Sequence, residues 1–299
     1  MRHRWNRFAI AFVLLAAFAT AAQAKDESAA APESPLDRAW EAAAQAMQHG
    51  PHDVALRDQA RLKLPEGYGF IPLAQASVLM QQMGNDVDED FIGLIVPLAE
   101  EQDWLMTVDF DPAGHISDED ARNWNADELL QNLKDGTEAG NERRVKLGIA
   151  PLEVTRWIER PAYDSTTQRL VWSAEARDKG AAADSDNTVN YNTYVLGREG
   201  YVSLDLITTT SQVEAQKPAA KALLSAVSFV EGKRYADFDA STDKVAAYGL
   251  AALIGGVAAK KLGLLAMAGV FFAKFFKLIA VAVLGGAAAL RKFFTRNKA

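Results

Sequence analysis

The chain has 299 residues, no cysteine and a formal net charge of −7 at neutral pH. The lack of cysteine excludes disulfides, thiolate nucleophiles, iron–sulfur clusters and cysteine-ligated zinc. The charge is uneven, because residues 25–244 hold 21 basic against 39 acidic side chains, a net charge of −18. Because such a body repels phosphate backbones, we expect no nucleic-acid partner.

The first 24 residues have the pattern of an export signal. Three arginines precede the apolar stretch Phe8–Ala19, and Ala22-Gln23-Ala24 forms an A-x-A cleavage site. The alternative, an N-terminal membrane anchor, is disfavoured because about 12 apolar residues span only ~18 Å of a ~30 Å hydrocarbon core. We predict a signal peptide over residues 1–24 and a flexible leader, rich in alanine, serine and acids, over residues 25–35.

A folded domain is predicted from residue 36 to residue 230. Apolar periodicity, together with Gly, Pro and Asn at the breaks, separates helices from strands in its first half. The predicted elements there are helix Leu36–Met47, two short strands between Asp53 and Leu64, helix Ala74–Met83 ending at Gly84-Asn85, and strands Phe91–Val96 and Trp104–Phe110.

The second half of this domain begins with a long helix and continues as a meander. Asn125 followed by Glu128 is a start signal for a helix of about 22 residues. From residue 152 to 210 apolar residues recur at every second position, which predicts four antiparallel strands. Ser211 with Glu214 predicts a capping box for a final helix that ends near Val227. An antiparallel sheet with segregated helices is an α+β fold.

The C-terminal region has the composition of a membrane anchor. After a linker of residues 231–244, residues 245–290 are apolar apart from two lysine pairs, and residues 291–299 form a basic tail. Because residues 245–299 carry eight basic and no acidic side chains, the positive-inside rule predicts an extracytoplasmic body and a cytosolic tail. We favour one short span near residues 245–261, with a two-helix hairpin as the alternative. Small residues spaced four apart allow a homo-oligomer.

Long motifs resemble an uncharacterised family of bacterial membrane-anchored envelope proteins, with an exported α+β domain followed by a C-terminal membrane anchor. The resemblance implies location at the inner (cytoplasmic) membrane, and no activity or cofactor follows from it. The order of elements is also similar to that of PsbP-like α+β domains, which mostly bind or scaffold. The motifs are LKLPEGYGFIP (Leu62–Pro72), Gly84-Asn85, SDEDA (Ser117–Ala121), PAYDSTTQRLVW (Pro161–Trp172), VNYNTYVLGREG (Val189–Gly200), and GKRYADFD followed by TDKVAAYGLAALIGG (Gly232–Gly256).

No established catalytic motif is present in the sequence. His49 and His52 flank Gly50-Pro51 in a loop, a context more typical of a solvated turn than of a metal pair. G-x-S-x-G, H-E-x-x-H, Walker A and G-x-G-x-x-G patterns are absent. We therefore predict no catalytic residues and no cofactor.

One acidic loop resembles a calcium-binding EF-hand loop. Residues 109–120 place oxygen atoms at the loop positions of Asp109, Asp111, Ser117 and Asp120, with glycine at the sixth position. However, Ala113 stands at the fifth loop position, where an oxygen ligand is needed, and Asp120 replaces the usual glutamate at the twelfth position. A turn between a strand and an acidic helix approach explains the same residues, and we favour that interpretation.

Two further segments are candidate partner-binding sites. In Val189–Gly200, Asn190 and Asn192 could donate and accept hydrogen bonds in a groove, with Tyr194 as a flat contact. Strand alternation places Tyr191 in the core and turns Tyr194 to the opposite face.

The second candidate segment precedes the predicted anchor. Arg234, Tyr235 and Asp237 lie within about ten residues of the apolar run and could dock the domain onto its anchor or a partner. An ordered linker is the alternative. These features together predict a membrane-anchored binding or scaffold module that contacts the bilayer and a protein or cationic envelope component. A membrane-tethered enzyme is the second hypothesis.

Overall fold

The computed structural model describes residues 34–255 except residues 100, 147, 149, 183 and 184. The helices are α1 (Pro35–Ala46), α2 (Leu73–Gln82), α3 (Ala126–Lys146), α4 (Val213–Ser225) and the one-turn α5 (Ala252–Gly255). The strands are β1 (Gln48–His49), β2 (His52–Leu56), β3 (Ala60–Leu64), β4 (Tyr68–Pro72), β5 (Phe91–Pro97), β6 (Leu105–Asp111), β7 (Leu152–Asp164), β8 (Arg169–Asp178), β9 (Thr188–Leu196), β10 (Tyr201–Thr209) and β11 (Val227–Phe229).

Two antiparallel sheets form the framework of the described residues. The large sheet has eight strands in the order β1-β4-β5-β6-β10-β9-β8-β7, and the small sheet has three in the order β11-β3-β2. Neighbouring strands such as β9 and β10 are joined by tight turns, and the helices lie outside the sheets. The predicted α+β class with an antiparallel sheet is confirmed.

Different elements cover the two faces of the large sheet. On the first face, Met106, Tyr191 and Leu204 belong to an apolar cluster completed by α4 and the small sheet. On the second face, α1 and α2 pack over one end, and α3 with residues 250–254 packs over the other. The central strands β9 and β10 are consequently buried on both sides.

The long helix α3 begins where the sequence predicts. Asn125 Oδ1 accepts hydrogen bonds from the backbone N–H groups of Asp127 at 2.9 Å and Glu128 at 3.4 Å. These bonds satisfy donors that the first helical turn leaves without intrahelical partners. The other predicted helices and strands also match the observed bounds within about two residues, except at the positions described next.

The start of α4 differs from the prediction. The helix begins at Val213, and the preceding Gln212 provides no side-chain cap. Ser211 instead donates its hydroxyl to Asp186 at 3.0 Å and its backbone N–H to the same carboxylate at 2.9 Å. The capping box predicted from Ser211 and Glu214 is wrong, because Ser211 uses its hydroxyl and its backbone N–H to bind Asp186.

Strand β4 is an element that the sequence pattern did not predict. It contains Gly69 and Pro72, both of which are unfavourable in the middle of a strand. A Cβ atom at Gly69 would overlap the sulfur of Met47, the residue that follows α1, so a larger residue there would displace this side chain. Close packing against α1 thus explains a residue that local propensity argues against.

The folded unit extends beyond the predicted boundary at residue 230. Residues 231–254, which we name the C-terminal strap, return over the domain, and Leu250, Leu253 and Ile254 in it are fully buried. The predicted linker and the first ten residues of the predicted anchor therefore belong to the domain, since Tyr235, Tyr248 and residues 250–254 pack into or against its core while Val245 stays exposed. This is a correction to both boundaries.

The described part of the chain contains no helix that combines the length and apolar character needed to cross a membrane. Residues 256–299, which hold the rest of the predicted anchor and the basic tail, lie outside the described residues. The predicted signal peptide and most of the leader, residues 1–33, also lie outside them.

Candidate functional site

A row of polar side chains crosses the middle of the second face. Thr107 of β6 pairs with Asp205 of β10, and Asp205 pairs with Asn192 of β9. Asn192 pairs in turn with Trp172 of β8. Because the side chains of directly paired residues project to the same face, these four residues share the second face.

A second polar row lies directly beside the first. Ser203 of β10 pairs with Asp109 on one side and Tyr194 on the other, while Asn190 lies two residues before Asn192 on β9. These rows are interior, because the helices and the strap cover them. The exposed fractions are 0% for Tyr194, 2% for Thr107 and Asp205, 3% for Asn192, 4% for Ser203 and 6% for Asn190.

Four atoms of this face have no hydrogen-bond partner among the described residues. They are Thr107 Oγ1, Trp172 Nε1, Asn190 Oδ1 and Tyr194 Oη. A buried polar atom without a partner costs about 1–3 kcal/mol, and folded proteins normally satisfy such atoms with protein groups or ordered water. Four of them on one sheet face make this face the candidate functional site. We name these four residues the second-face cluster.

The tyrosines of this face keep their protons at neutral pH. Burial raises the pKa of Tyr194 well above its ordinary value, and the nearby Asp205 carboxylate acts in the same direction. The indole N–H of Trp172 faces the Tyr194 hydroxyl and opposes this shift, although the two groups lie outside normal hydrogen-bond geometry. Burial likewise raises the pKa of Tyr201, whose hydroxyl donates to Asp111 at 2.9 Å.

The chemistry of the face is therefore that of recognition by hydrogen bonds. The Trp172 indole N–H can only donate a hydrogen bond, and the side-chain oxygen Asn190 Oδ1 can only accept one. The hydroxyls of Thr107 and Tyr194 can do both. The Tyr194 and Tyr201 rings pack edge to face at 5.6 Å and add an apolar wall. Such a mixture suits a small molecule that carries both donors and acceptors.

The structure brings the predicted groove residues together but buries them. Asn190, Asn192 and Tyr194 lie on one face of β9, and Tyr191 lies on the opposite face in the apolar cluster, as strand alternation predicts. The predicted open groove is wrong, because α3 and the strap cover this face. The role of Asn190, Asn192 and Tyr194 in partner binding remains a prediction.

The predicted docking segment contacts its own domain. Tyr235 donates its hydroxyl to the Ile116 carbonyl oxygen at 2.9 Å, and Asp237 accepts the Arg234 backbone N–H at 2.9 Å. Burial, aided by Asp118, raises the pKa of Tyr235 to about 12. Tyr235 therefore ties the strap to the domain, whereas Arg234 and Asp237 form a local turn within the strap.

The residues of the predicted calcium loop do not converge on one point. Asp109 and Asp111 belong to β6, while Asp120 Oδ2 accepts the backbone N–H of Ala251 at 3.0 Å. Ser117 Oγ accepts the backbone N–H of Glu119 at 3.4 Å. Within residues 34–255, as far as they are described, no group of three or more His, Asp or Glu side chains could hold a metal ion. The arrangement matches the alternative interpretation, a turn after a strand.

Sequence reasoning missed Thr107, Trp172 and Asp205. Thr107 and Asp205 occupy alternate positions in otherwise apolar strands, as Ser203 and Asp205 do in YVSLDLITT, whereas Trp172 belongs to the apolar alternation of β8. The available signal was a run of polar residues at period two, which is typical of a solvent-exposed face. The sequence also contains enough apolar segments, in α1, α2, α3 and residues 250–254, to cover a second face of the sheet. Counting these segments could have identified the polar face as interior.

Comparison with known proteins finds no matching curated protein. A cyanobacterial PsbP (CyanoP) from Synechocystis sp. PCC 6803 is similar over 62% of this chain and 93% of its own, with 12% identity and a TM-score of 0.37. The Saccharomyces cerevisiae Ran-binding protein Mog1p is similar over 63% of this chain and 98% of its own, with 12% identity and a TM-score of 0.32. Residues 48–285 match the family described as "Protein of unknown function (DUF2167)", and the chain belongs to that family.

Proposed function

We propose that this protein is a membrane-anchored binding module of the bacterial cell envelope that holds a small polar ligand on the second face of its large sheet. The observation that carries the proposal is the second-face cluster, four buried polar atoms on one face that have no partner among the described residues. A ligand that supplies their hydrogen bonds recovers the free energy that their burial costs.

The ligand is a molecule with several hydroxyl, amide or amine groups. It accepts a hydrogen bond from Trp172, donates one to Asn190, and exchanges either kind with Thr107 and Tyr194. The acidic character of the body, −18 over residues 25–244, favours neutral or cationic ligands over anions. A small ligand of this kind is the partner that the geometry supports best, alongside the bilayer and a protein or cationic envelope component.

Native mass spectrometry of the full chain, purified in mild detergent, tests the ligand directly. We expect an additional mass on the wild-type protein that disappears in the double variant Thr107→Val, Asn190→Leu. The matched control is Thr193→Val, since Thr193 is also fully buried but lies on the first face and donates to the Leu204 carbonyl oxygen at 2.6 Å. Absence of any bound mass in the wild type, or its retention in the double variant, refutes a ligand at this face.

The alternative function, a membrane-tethered enzyme, makes a different prediction in the same experiment. A binding module releases on denaturation the same molecule that it captured. An enzyme releases a molecule whose mass has changed after incubation.

The envelope location is the second part of this proposal. It rests on the export signal predicted over residues 1–24 and on the eight basic residues after residue 244. Because residues 250–254 pack in the domain core, we place the anchor within residues 256–290 while the strap is docked.

Reporter fusions test this topology. A reporter that works only outside the cytoplasm should be active when inserted between residues 33 and 34, and inactive when fused after Ala299. Activity at both positions would exclude a single crossing and favour the hairpin, and inactivity at both would exclude export.

A further inference from the structure

The C-terminal strap lies over the end of the second face that holds Tyr194 and Trp172. Leu250, Leu253 and Ile254 are fully buried in the same cluster as these two aromatic side chains. Tyr248 also packs against this cluster. The strap therefore supplies part of the cover that keeps the second-face cluster away from solvent.

The strap is fastened to the domain at a small number of identifiable points. The Arg198 guanidinium binds the Asp243 carboxylate through two nitrogen–oxygen contacts of 2.7 and 2.8 Å. His115 donates its backbone N–H to Lys244 at 2.8 Å and accepts one from Ala246 at 2.9 Å. This backbone pairing is an isolated bridge and not a strand of the sheet.

Aromatic stacking adds a third fastening point next to this bridge. The His115 ring stacks on Phe238 with centroids 3.8 Å apart and lies 4.3 Å from the ring of Tyr235. The Gly114 position fits the same contact, because a Cβ atom there would lie 2.7 Å from the Lys244 carbonyl oxygen. The strap is thus closely fitted: its residues 250–254 pack in the core, and elsewhere it is held by ring contacts, ion pairs and single hydrogen bonds, without a strand ladder.

The other cover of the second face is attached differently. α1 and α2 share a continuous apolar cluster with β4, β5 and β6, and α2 follows β4 without an intervening loop. The strap adds no strand to either sheet, so it can open locally without breaking the hydrogen bonds of a sheet, and such local opening costs less free energy than global unfolding. Release of the strap therefore needs no disruption of the sheet, whereas release of α2 does.

We infer that the C-terminal strap is the closure of the second-face site: its release admits the ligand, and its docking encloses the ligand beneath Leu250, Leu253 and Ile254. This inference rests on the proposed function for the identity of the site, and adds how the site opens. The strap ends at residue 254, next to the segment in which we place the anchor. A contact that the anchor makes at the membrane is therefore connected to the strap by the polypeptide chain.

The natural absence of cysteine allows a direct test with two single-cysteine variants of the full chain in detergent. Ser203→Cys reports on the second face and Ser173→Cys on the first. The Ser173 hydroxyl donates to the backbone carbonyl oxygen of Asn190 at 2.8 Å. The two serines are 4% and 0% exposed, and their strands flank β9 on either side. Each variant changes one oxygen to sulfur, so the pair is matched in chemistry and burial.

The rate of maleimide labelling is measured with the strap intact and with its ion pair removed by Arg198→Ala or, more mildly, by Asp243→Asn. We expect labelling at Ser203→Cys to accelerate about five- to tenfold, and labelling at Ser173→Cys to stay within about twofold. Hydrogen exchange at Ala246 and Leu250 confirms in parallel that the strap has loosened.

An equal acceleration at both cysteines would show general destabilisation and overturn the inference. Faster exchange in the strap without faster labelling at Ser203→Cys would overturn it as well, because the strap would then move without opening the site. The labelling experiment needs no ligand. A closure that passes this test while mass spectrometry finds no bound molecule would therefore refute the proposed function alone.

Discussion

The central strands β9 and β10 of the large sheet are buried on both faces, but the two faces differ in chemistry. On the first face, Val202, Leu204 and Leu206 of β10 pack in an apolar cluster. On the second face, the alternating residues Ser203 and Asp205 of the same strand lie among polar neighbours. Apolar burial stabilises a fold at roughly 25 cal/mol per Å², whereas buried polar atoms without partners reduce stability. The first face therefore stabilises the fold more than the second, which is the face of the proposed ligand site.

The largest expected effect comes from the first face. Leu204→Ala removes a fully buried side chain, and we expect it to lower the free energy of unfolding by about 2–5 kcal/mol. Ser203→Ala, one residue away on the second face, should cost less than about 1 kcal/mol. Urea denaturation followed by tryptophan fluorescence measures both values. Equal losses would contradict the division of roles between the faces.

A smaller effect is expected in α3, part of the cover of the second face. The Asn141 side chain exchanges two hydrogen bonds of 2.8 Å with the backbone of Leu152 at the start of β7. Asn141→Ala leaves these buried groups without partners and should cost about 1–3 kcal/mol. Gln131→Ala on the exposed side of α3 is the control and should stay within about 0.5 kcal/mol in the same denaturation assay. A loss as small as that of the control would mean that α3 is held by apolar packing alone.

The strap should respond to acid through His115. Burial lowers the pKa of His115, and the carboxylates of Asp118 and Asp243 oppose that shift only in part; Tyr235 and Lys244 are the other ionisable groups beside it. Since the released form takes up a proton more readily than the docked form, docking weakens as pH falls below about 6.5, by no more than about 1.4 kcal/mol per pH unit.

Labelling of Ser203→Cys at pH 7.5 and pH 5.5 measures this dependence. Labelling should be faster at the lower pH after correction for the reagent's own pH dependence, for which Ser173→Cys is the internal reference. His115→Phe preserves the stacking on Phe238 and should remove the difference. A pH dependence that persists in His115→Phe would assign it to another group.

The smallest expected effect compares two threonines on opposite faces. Thr193→Val removes a hydroxyl that donates at 2.6 Å to a carbonyl oxygen and should cost about 0.5–1.5 kcal/mol. Thr107→Val removes a hydroxyl without a partner among the described residues and should be neutral in ligand-free protein. A loss at Thr107 that equals the loss at Thr193 would show that water already satisfies Thr107.

Part of the candidate site was predictable from local sequence. Asn190 and Asn192 are unusual in a strand with strong β propensity, and alternation alone separates Tyr194 from Tyr191. Thr107 and Trp172 were not predictable in the same way, because they join the site only through the pairing of β6 with β10 and of β8 with β9. Strand order is a long-range property that the pattern within each strand does not contain.

The sequence by itself determined the α+β class, the start of α3 and the period-two strands, because caps, glycines and alternation act over a few residues. Only the tertiary structure decided that the polar face is interior. Polar residues at alternate positions predict a solvent-exposed face, but α3 and the strap cover this face in the structure. The same holds for residues 245–254, whose apolar side chains suit a bilayer and a protein core alike. Burial against α3 and the sheet, which no local pattern encodes, selects the core.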